Sequence, residues 1–421
     1  MKQLLENIIK EWWARPLPTI LPREVNLLDY ADLKVRKVIT ITGFRRSGKT
    51  FSLLDFAQKV GKENCVYLNL EDERLPKEVR VLTTLLDVLT ELSGSKGYFL
   101  LMDEIQNIPD WETWARRVVE TTSHKLFVTG ISSKLSSSEL PTQLRGRFLT
   151  VLVKPLSFKE FLTFKNVDIK ITPKSLLLNL TREYLTYGGF PEIVLVDEGK
   201  KPLILDEYYQ TFLTRDIVER HSLRNREMMK SLILLLLNSS HYTASKLANS
   251  LKGIGLKCGK STVTRYLNFL EGSFFLKSIK LHTPSIKNRL KAERKPYFID
   301  NYFIFRYSNE FSKNRGRLME NIVYSNLDQQ HVYYWKDYRN HEVDFILREE
   351  ERTLALVQVS FVSGGEEISE RETSNLIKAA NQVKTDKLFL VTWDFERELK
   401  LGKLKVRCIP LYKFLLDEYL N

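Results

Sequence analysis

The feature that most restricts the fold of this 421-residue chain is the segment GFRRSGKT, which follows a short apolar stretch. That stretch, VITIT at 38–42, is rich in β-branched residues and predicts a buried parallel strand. Gly43, Gly48, Lys49 and Thr50 then match the pattern G-x-x-x-x-G-K-[ST] in the order strand, loop, helix. The sequence therefore predicts an α/β domain in which a glycine-rich loop turns backbone N–H groups toward a phosphate.

The residues of this loop are predicted to bind a nucleoside triphosphate together with Mg²⁺. The helix that begins near Lys49 adds the positive end of its dipole. Lys49 is expected to reach the β- and γ-phosphates, and Thr50 to ligate Mg²⁺. Because no N/T-K-x-D guanine-reading element follows in the domain, ATP is favoured over GTP. The other residues expected to contact the cofactor are Gly43, Arg45, Arg46, Ser47, Gly48 and Phe51.

A second motif, YFLLMDEIQ at 98–106, predicts another buried strand with two acids at its carboxyl end. In an open α/β sheet, ligands bind at that end of the strands. Asp103 is predicted to hold Mg²⁺ through water, and Glu104 to orient or deprotonate the attacking water. The alternative for Glu104 is a structural role as the cap of the following helix.

A third predicted strand, in HKLFVTGISSKL at 124–135, ends in hydroxyl residues. Thr129, Ser132 and Ser133 are candidates to sense the γ-phosphate, with helix capping as the alternative.

The segment LRGR contributes Arg145 and Arg147 as candidates to stabilise transition-state charge on the γ-phosphate. They would act in the same chain or on a neighbouring subunit. A surface ion pair is the alternative for both.

The positive charge of the chain is concentrated in one segment. The net charge is +13, and residues 240–295 carry 12 Lys/Arg against two Asp/Glu. Such a local excess favours a polyanionic partner.

The same segment shows the order of a winged helix-turn-helix. TASKLANSL predicts one amphipathic helix, GIGLKCGK a turn, STVTRYLNFLEGS a second helix capped by Ser261, and FFLKSIKL a strand. The second helix would present Lys260, Thr262, Thr264 and Arg265 to a DNA groove. The alternative is that the module only packs against a neighbouring domain.

The C-terminal region is predicted to form a helix, three strands, a helix and a strand, which is the core of the PD-(D/E)XK nuclease fold. Glu320 lies on the first helix and Asp344 opens the strand EVDFIL. Cleavage needs two acids on a metal and a lysine near the attacking water. The chain has Gln358 where the second acid is expected and Ser360 where the lysine is expected. A degenerate site without nuclease activity is therefore predicted, unless a lysine such as Lys336 or Lys378 has taken over.

Two observations limit other classes of function. Cys65, Cys258 and Cys408 lie far apart without a CxxC pair, which argues against zinc and disulfides. The longest apolar run, LILLLL at 232–237, is far shorter than the roughly 18 residues of a membrane span. With no signal peptide evident, a soluble cytoplasmic protein without membrane contact is expected.

Taken together, these motifs resemble a prokaryotic, archaeal-type family of AAA/STAND-like P-loop ATPases. The resemblance implies an α/β fold with four parts: a P-loop NTPase core with a parallel sheet at 1–170, a helical lid at 171–230, a winged helix-turn-helix at 231–295 and a degenerate PD-(D/E)XK-like domain at 296–421. It also implies that Lys49, Thr50, Asp103 and Glu104 carry the nucleotide chemistry. The segments that carry it are GFRRSGKT, LMDEIQ, LRGR, PLSFKEFL (155–162), YLTYGGFPE (184–192), YYQTFLTRDIVERH (208–221), STVTRYLNFLE (261–271), GRLMENIVY and EVDFIL.

The function expected from the sequence is Mg²⁺-dependent ATP hydrolysis coupled to domain rearrangement on DNA. A regulatory switch of the STAND type that acts on a protein partner is the alternative, and an active DNA nuclease is a third. A homo-oligomer is compatible with each of these.

Overall fold

The computed structural model describes residues 1–94, 96–130, 146–308, 315–327, 331–350 and 352–417. The chain forms two compact units, Met1–Pro155 and Leu156–Asn421.

The first unit is built on a five-stranded parallel sheet with the order β2-β3-β4-β1-β5. This sheet confirms the prediction of an α/β domain with parallel strands. Its strands are β1 (Val38–Thr42), β2 (Cys65–Asn69), β3 (Phe99–Asp103), β4 (Lys125–Gly130) and β5 (Phe148–Leu152).

Helices cover both faces of this sheet, because successive side chains of a strand point to opposite faces. On β3, Leu100 and Met102 pack into one apolar cluster with residues of α3 and α4. Leu101 packs into a second cluster with Phe56 of α2. The helices are α1 (Lys2–Ala14), α2 (Lys49–Val60), α3 (Val79–Ser93) and α4 (Trp111–Thr121).

The second unit contains a mixed eight-stranded sheet with the order β12-β13-β11-β10-β9-β8-β6-β7. Its strands are β6 (Leu276–Leu281), β7 (Arg294–Phe298), β8 (Val332–Lys336), β9 (Glu342–Glu349), β10 (Arg352–Val359), β11 (Leu388–Thr392), β12 (Arg397–Leu401) and β13 (Leu404–Pro410).

Most of the remaining chain of this unit is helical. The helices are α5 (Phe158–Phe164), α6 (Lys174–Tyr187), α7 (Pro191–Val194), α8 (Lys201–Thr211), α9 (Arg226–Leu237), α10 (Ala244–Gly253), α11 (Lys260–Gly272), α12 (Ile286–Lys291), α13 (Asn301–Tyr307), α14 (Arg315–Asn326), α15 (Glu370–Val383) and α16 (Leu411–Leu415). A π-helical stretch, Phe212–Glu219, continues α8.

The helices predicted as a lid, at 171–230, lie in the second compact unit. The two strands that follow the helix-turn-helix segment lie there too, and β6 pairs in parallel with β8. The division of the chain at 170, 230 and 295 stays a prediction. The compact units themselves divide between residues 155 and 156.

Two glycines in the segment YLTYGGFPE let a buried carboxylate approach the backbone. Asp300, at the N-cap of α13, accepts hydrogen bonds from Tyr302 N at 2.9 Å and from Gly189 N at 2.8 Å. Gly188 has φ +74°, and a Cβ there would lie 1.8 Å from Asp300 Oδ1. Glycine is therefore required at 188 by both space and backbone conformation.

We expect Gly188→Ala to lower the free energy of unfolding of the second unit by roughly 2 to 4 kcal/mol, because it adds a steric clash to a left-handed backbone. Urea denaturation measures this. Gly199→Ala is the matched control, since no atom lies within 4 Å of the added Cβ. Equal stability of the two variants would contradict the role assigned to Gly188.

Candidate functional site

The loop between β1 and α2 adopts a backbone that glycine makes possible. Gly43 and Gly48 have φ angles of +154° and +101°, and Arg46 is also left-handed at +66°. A Cβ at Gly43 would lie 2.2 Å from the carbonyl oxygen of Val153, so only glycine fits between the loop and the chain beyond β5.

An arginine outside the motif braces this loop. Arg23 donates from Nη1 to Ser47 O at 2.9 Å and from Nη2 to Lys154 O at 2.8 Å. The guanidinium thus holds the loop to the segment after β5 through two carbonyl groups. Sequence reasoning missed Arg23, because no motif surrounds it and its partners lie far away in the chain.

Two hydroxyl groups at the loop are buried without a hydrogen-bond partner among the described residues. They are Thr42 Oγ1, at the end of β1, and Ser47 Oγ, inside the loop. Buried polar groups are nearly always satisfied, so a pair of orphaned hydroxyls fits a polar ligand such as a phosphate.

The lysine of the loop lies against the turn that it follows. Lys49 is 5% exposed, and its Nζ donates to the carbonyl oxygens of Gly43 and Phe44, both at 3.2 Å. Its positive charge also lowers the pKa of Glu104, against the larger effect of burial. The lysine and the two acids of the second motif therefore share one electrostatic environment.

The carboxylate of Asp103 gathers hydroxyl donors from three other elements. Its Oδ2 accepts from Thr50 Oγ1 at 2.8 Å and from Tyr67 OH at 2.9 Å, and its Oδ1 accepts from Thr129 Oγ1. The structure thus brings Thr50 and Asp103, the two predicted metal ligands, into direct contact. A hydroxyl and a carboxylate are hard oxygen donors of the kind that Mg²⁺ takes, so these residues fit the metal.

Tyr67 was missed at the level of sequence, because it lies in the middle of β2 and no motif marks it. Burial, followed by the negative charge of Asp103, raises the pKa of Tyr67 above its ordinary value. The phenol therefore stays protonated and acts as a donor to Asp103.

Glu104 adopts a left-handed conformation, with φ 54° and ψ 48°. This conformation is uncommon for a glutamate, and residues held in it are enriched at functional sites. Its N–H donates to Thr129 Oγ1 at 2.9 Å, and its side chain accepts from Gln106 Nε2. Burial raises the pKa of Glu104 above its ordinary value. The side chain makes no capping bond to the 3-10 helix that follows, so the structural alternative is not observed.

The other predicted nucleotide contacts are placed less decisively. Arg46 and Phe51 are exposed and Arg45 is half-buried. Ser132, Ser133 and Arg145 lie outside the described residues.

Arg147 is not brought to the loop of its own chain. It pairs with Glu120 at 2.8 Å, Nε to Oε1, which is the surface ion pair considered as the alternative. Arg147 precedes β5, and Phe148 of β5 pairs with Val38 at the start of β1. Because the strands are parallel, Arg147 lies at the amino-terminal end of the strands, and the glycine loop lies at their carboxyl end.

The predicted helix-turn-helix segment contains α10 and α11. The predicted cap at Ser261 is wrong: α11 begins at Lys260, and Gly259 occupies the N-cap without a side-chain bond. Of the four predicted DNA contacts, Lys260, Thr264 and Arg265 are exposed and Thr262 is half-buried. The opposite face of α11 is buried through Val263, Tyr266, Leu267 and Leu270.

In the C-terminal region the two predicted acids meet a lysine that the sequence reasoning missed. Lys295 Nζ lies 2.6 Å from Glu320 Oε1, 2.9 Å from Asp344 Oδ1 and 3.0 Å from Glu342 Oε1. The third acid, Glu342, was missed as well, and the sequence held a usable signal for each of these two residues. Glu342 and Asp344 are two positions apart on β9 and share a face, and Lys295 shares a face of β7 with Tyr297. A lysine at an inward position of a strand calls for buried acids.

The remaining donors of this acid cluster also come from the protein. Asp344 Oδ2 accepts from Gln358 Nε2 at 2.8 Å and from Val359 N at 3.0 Å, and Glu320 accepts from Tyr297 OH at 2.6 Å. The backbone N–H of Ser360 donates to Val391 O instead.

Neither lysine named from the sequence as a replacement contacts Asp344. Lys336 and the acid cluster line one cavity of about 470 Å³. The ion-pair partner of Lys336, however, is Glu293 at 3.9 Å. Lys378 lies 3.2 Å from a ring nitrogen of His341. The lysine that contacts the three acids is therefore Lys295.

Burial raises the pKa of Asp344 and of Glu342, and the positive charge of Lys295 lowers the pKa of both. Burial raises the pKa of Asp344, and the negative charge of Glu320 adds to this effect. Burial would also raise the pKa of Glu342, but a hydrogen bond to His241 and the charge of Lys295 lower it to about 2. Across the described ranges, no group of acids, histidines or cysteines is arranged to hold a metal ion.

Within the described part of the chain, no helix has the length and apolar character needed to cross a membrane.

Comparison with known families divides the chain into three stretches. A family described as an AAA domain matches residues 35–162. Two families described as domains of unknown function, DUF8612 and DUF4143, match residues 178–307 and 315–414.

Two solved structures are distantly similar. A Walker-type ATPase of Pyrococcus abyssi gives a TM-score of 0.45 at 14% identity, over 66% of this chain and 92% of that one. The ORC1 protein of Aeropyrum pernix in complex with DNA gives 0.33 at 13% identity, over 72% and 89%. At these scores neither structure bears on function.

Two relatives match over most of their length. The uncharacterized protein MJ1544 of Methanocaldococcus jannaschii is 36% identical over 376 residues, which cover 86% of this chain and 83% of that protein. An uncharacterized protein of Haemophilus influenzae is 31% identical over 394 residues, which cover 90% and 94%. The chain therefore belongs to the same family as these archaeal and bacterial proteins, and it carries an AAA domain at residues 35–162.

Proposed function

We propose that the protein is an ATPase that binds Mg²⁺–ATP at the glycine loop and couples hydrolysis to rearrangement on DNA. The observation that carries this proposal is the 2.8 Å hydrogen bond between Thr50 and Asp103, beside the buried ammonium of Lys49. A bound Mg²⁺ would supply charge neutralisation between the β- and γ-phosphates. Thr50 and Asp103 would hold that ion, and Lys49 would leave the loop carbonyls for phosphate oxygens.

Glu104 is proposed as the residue that orients or deprotonates the attacking water. Its backbone is fixed by Thr129, and its side chain is held by Gln106. A raised pKa brings a carboxylate closer to the range in which a general base is effective.

DNA contact is proposed for the exposed face of α11. Lys260 and Arg265 lie on that face, within the segment that carries the excess of basic residues. A helix of this kind is suited to the major groove, with its basic side chains on phosphates.

We expect Lys49→Ala to reduce ATP turnover roughly 100-fold or more, because it removes the charge that faces the phosphates. Phosphate release with Mg²⁺–ATP measures this, and circular dichroism should show a normal fold. Lys59→Ala is the control, since Lys59 lies on the same helix and pairs with Asp55 at 2.7 Å. Turnover in Lys49→Ala equal to that of the control would remove the basis of the proposal.

Glu104→Gln should retain ATP binding but lose turnover. In the unaltered protein, a base must be deprotonated, so turnover should fall as the pH drops through a pKa above the ordinary 4.5 of glutamate. The pH dependence of kcat measures this. Because the bond from Gln106 lowers that pKa, Gln106→Ala should shift the acidic limb to higher pH. An unshifted limb in Gln106→Ala would mean that another group titrates.

The double variant Lys260→Ala/Arg265→Ala should bind duplex DNA more weakly and reduce the slope of log K against log[salt] by roughly two. Fluorescence anisotropy of a labelled duplex across a NaCl series measures both. Lys400→Ala/Lys403→Ala removes the same charge from exposed positions at the β12–β13 hairpin and serves as the control. If DNA does not change ATP turnover and Lys260→Ala/Arg265→Ala binds the duplex as the unaltered protein does, the regulatory switch acting on a protein is favoured.

A further inference from the structure

The acid cluster of the second unit already contains a cation. Oxygens of Glu320, Glu342 and Asp344 converge on one point, and Lys295 Nζ occupies it at 2.6–3.0 Å from each. The lysine side chain is 5% exposed, so its charge is not shared with water. An ammonium has three N–H donors and no acceptor, which matches three carboxylates in number.

The nuclease-like arrangement of α14, β9 and β10 would require a divalent metal at these acids, and the residues present do not fit one. Mg²⁺ and Ca²⁺ need ligand oxygens at about 2.0–2.6 Å around the ion. In the described residues, the point at which the oxygens converge is filled by nitrogen. The second carboxylate oxygen of Asp344 accepts from Gln358 and Val359, and these donors would compete with a metal for it.

A lysine that assists cleavage would have to leave room for the ion between itself and the acids. Lys295 instead touches all three carboxylates, and Lys336 and Lys378 contact none of them. Lys295 lies on β7, which β6 and β8 separate from β9 in the order of the sheet. Its ammonium nevertheless lies within ion-pair distance of Asp344 on β9.

We infer that Lys295 is a built-in counter-cation that takes the place of a divalent metal, so that this site excludes metal ions and does not cut DNA. Removing the ammonium while keeping most of the unbranched side chain should convert the cluster into a site for a hard divalent cation. Ca²⁺ should bind better than Mg²⁺, because the oxygens need to contract less to reach calcium distances.

The test is titration calorimetry of full-length protein with CaCl₂, without nucleotide. All proteins carry Asp103→Asn, which removes the carboxylate at the end of β3 that is proposed to hold Mg²⁺ at the nucleotide site. The parent should show no binding. Lys295→Met should bind one Ca²⁺ at least about tenfold more tightly than any binding that the parent could show, and its thermal midpoint should rise with calcium. Lys336→Met is the matched control, because it removes a lysine from the same cavity without uncovering the acids.

Lys295→Met leaves three carboxylates without their partner and could fail to fold. Lys295→Met/Glu342→Gln restores the formal charge of the parent cluster and keeps Glu320 and Asp344, so it should still bind Ca²⁺ more tightly than the parent. Folded lysine variants that bind no calcium would overturn the inference. Stoichiometric calcium binding by the parent that is lost in Asp344→Asn would overturn it as well, because the metal would then displace the lysine.

The outcome is independent of the proposed ATPase. Every titrated protein lacks Asp103, and the readout is metal binding and thermal stability. Failure of the lysine inference would therefore leave the nucleotide site untouched, and failure of ATP turnover would leave the lysine inference untouched.

Discussion

The nucleotide site depends on the hydrogen bonds that converge on the carboxylate of Asp103. Donors reach it from Thr50 on α2, Tyr67 on β2 and Thr129 on β4. Since β2, β3 and β4 are neighbours in the sheet, this one acid ties three strands to the helix that follows the glycine loop. Thr129 also accepts from the backbone of Glu104, so the same network fixes the adjacent acid. The site is thus organised by the protein's own side chains.

The local elements could be predicted from the sequence because their signals are local. The strand at 38–42, the glycine loop and the acids after β3 each depend on a few consecutive residues, and the structure has them where the patterns placed them. The residues whose roles were predicted wrongly or missed depend on partners that are distant in the sequence. Arg147 belongs to a suggestive motif, yet it pairs with Glu120 and precedes β5 at the end of the strands away from the glycine loop. Arg23 has no motif at all, because its role is set by two backbone carbonyls 24 and 131 residues away.

The acid cluster illustrates the same limit in another way. Reading the motif position by position finds Gln358 and Ser360 and concludes that the positive charge is missing. The sheet order supplies it from β7, a strand that precedes Glu320 in the chain and lies beyond β8 in space. A buried lysine needs nearby acids, and buried acids need a cation, so each side of the cluster could have prompted a search for the other.

The parallel pairing of β6 with β8 has a consequence for how the second unit can be divided. It joins the strand after α11 to the strands of the C-terminal region in one continuous sheet. The matched families change between residues 307 and 315. This junction falls between β7 and β8, so strands of one sheet lie on both sides of it. A fragment that stopped at this junction would leave the β6 edge with unpaired backbone groups, which is a ready template for self-association. The smallest piece of this unit that can be handled in isolation is therefore set by strand pairing and extends past the junction of the two families.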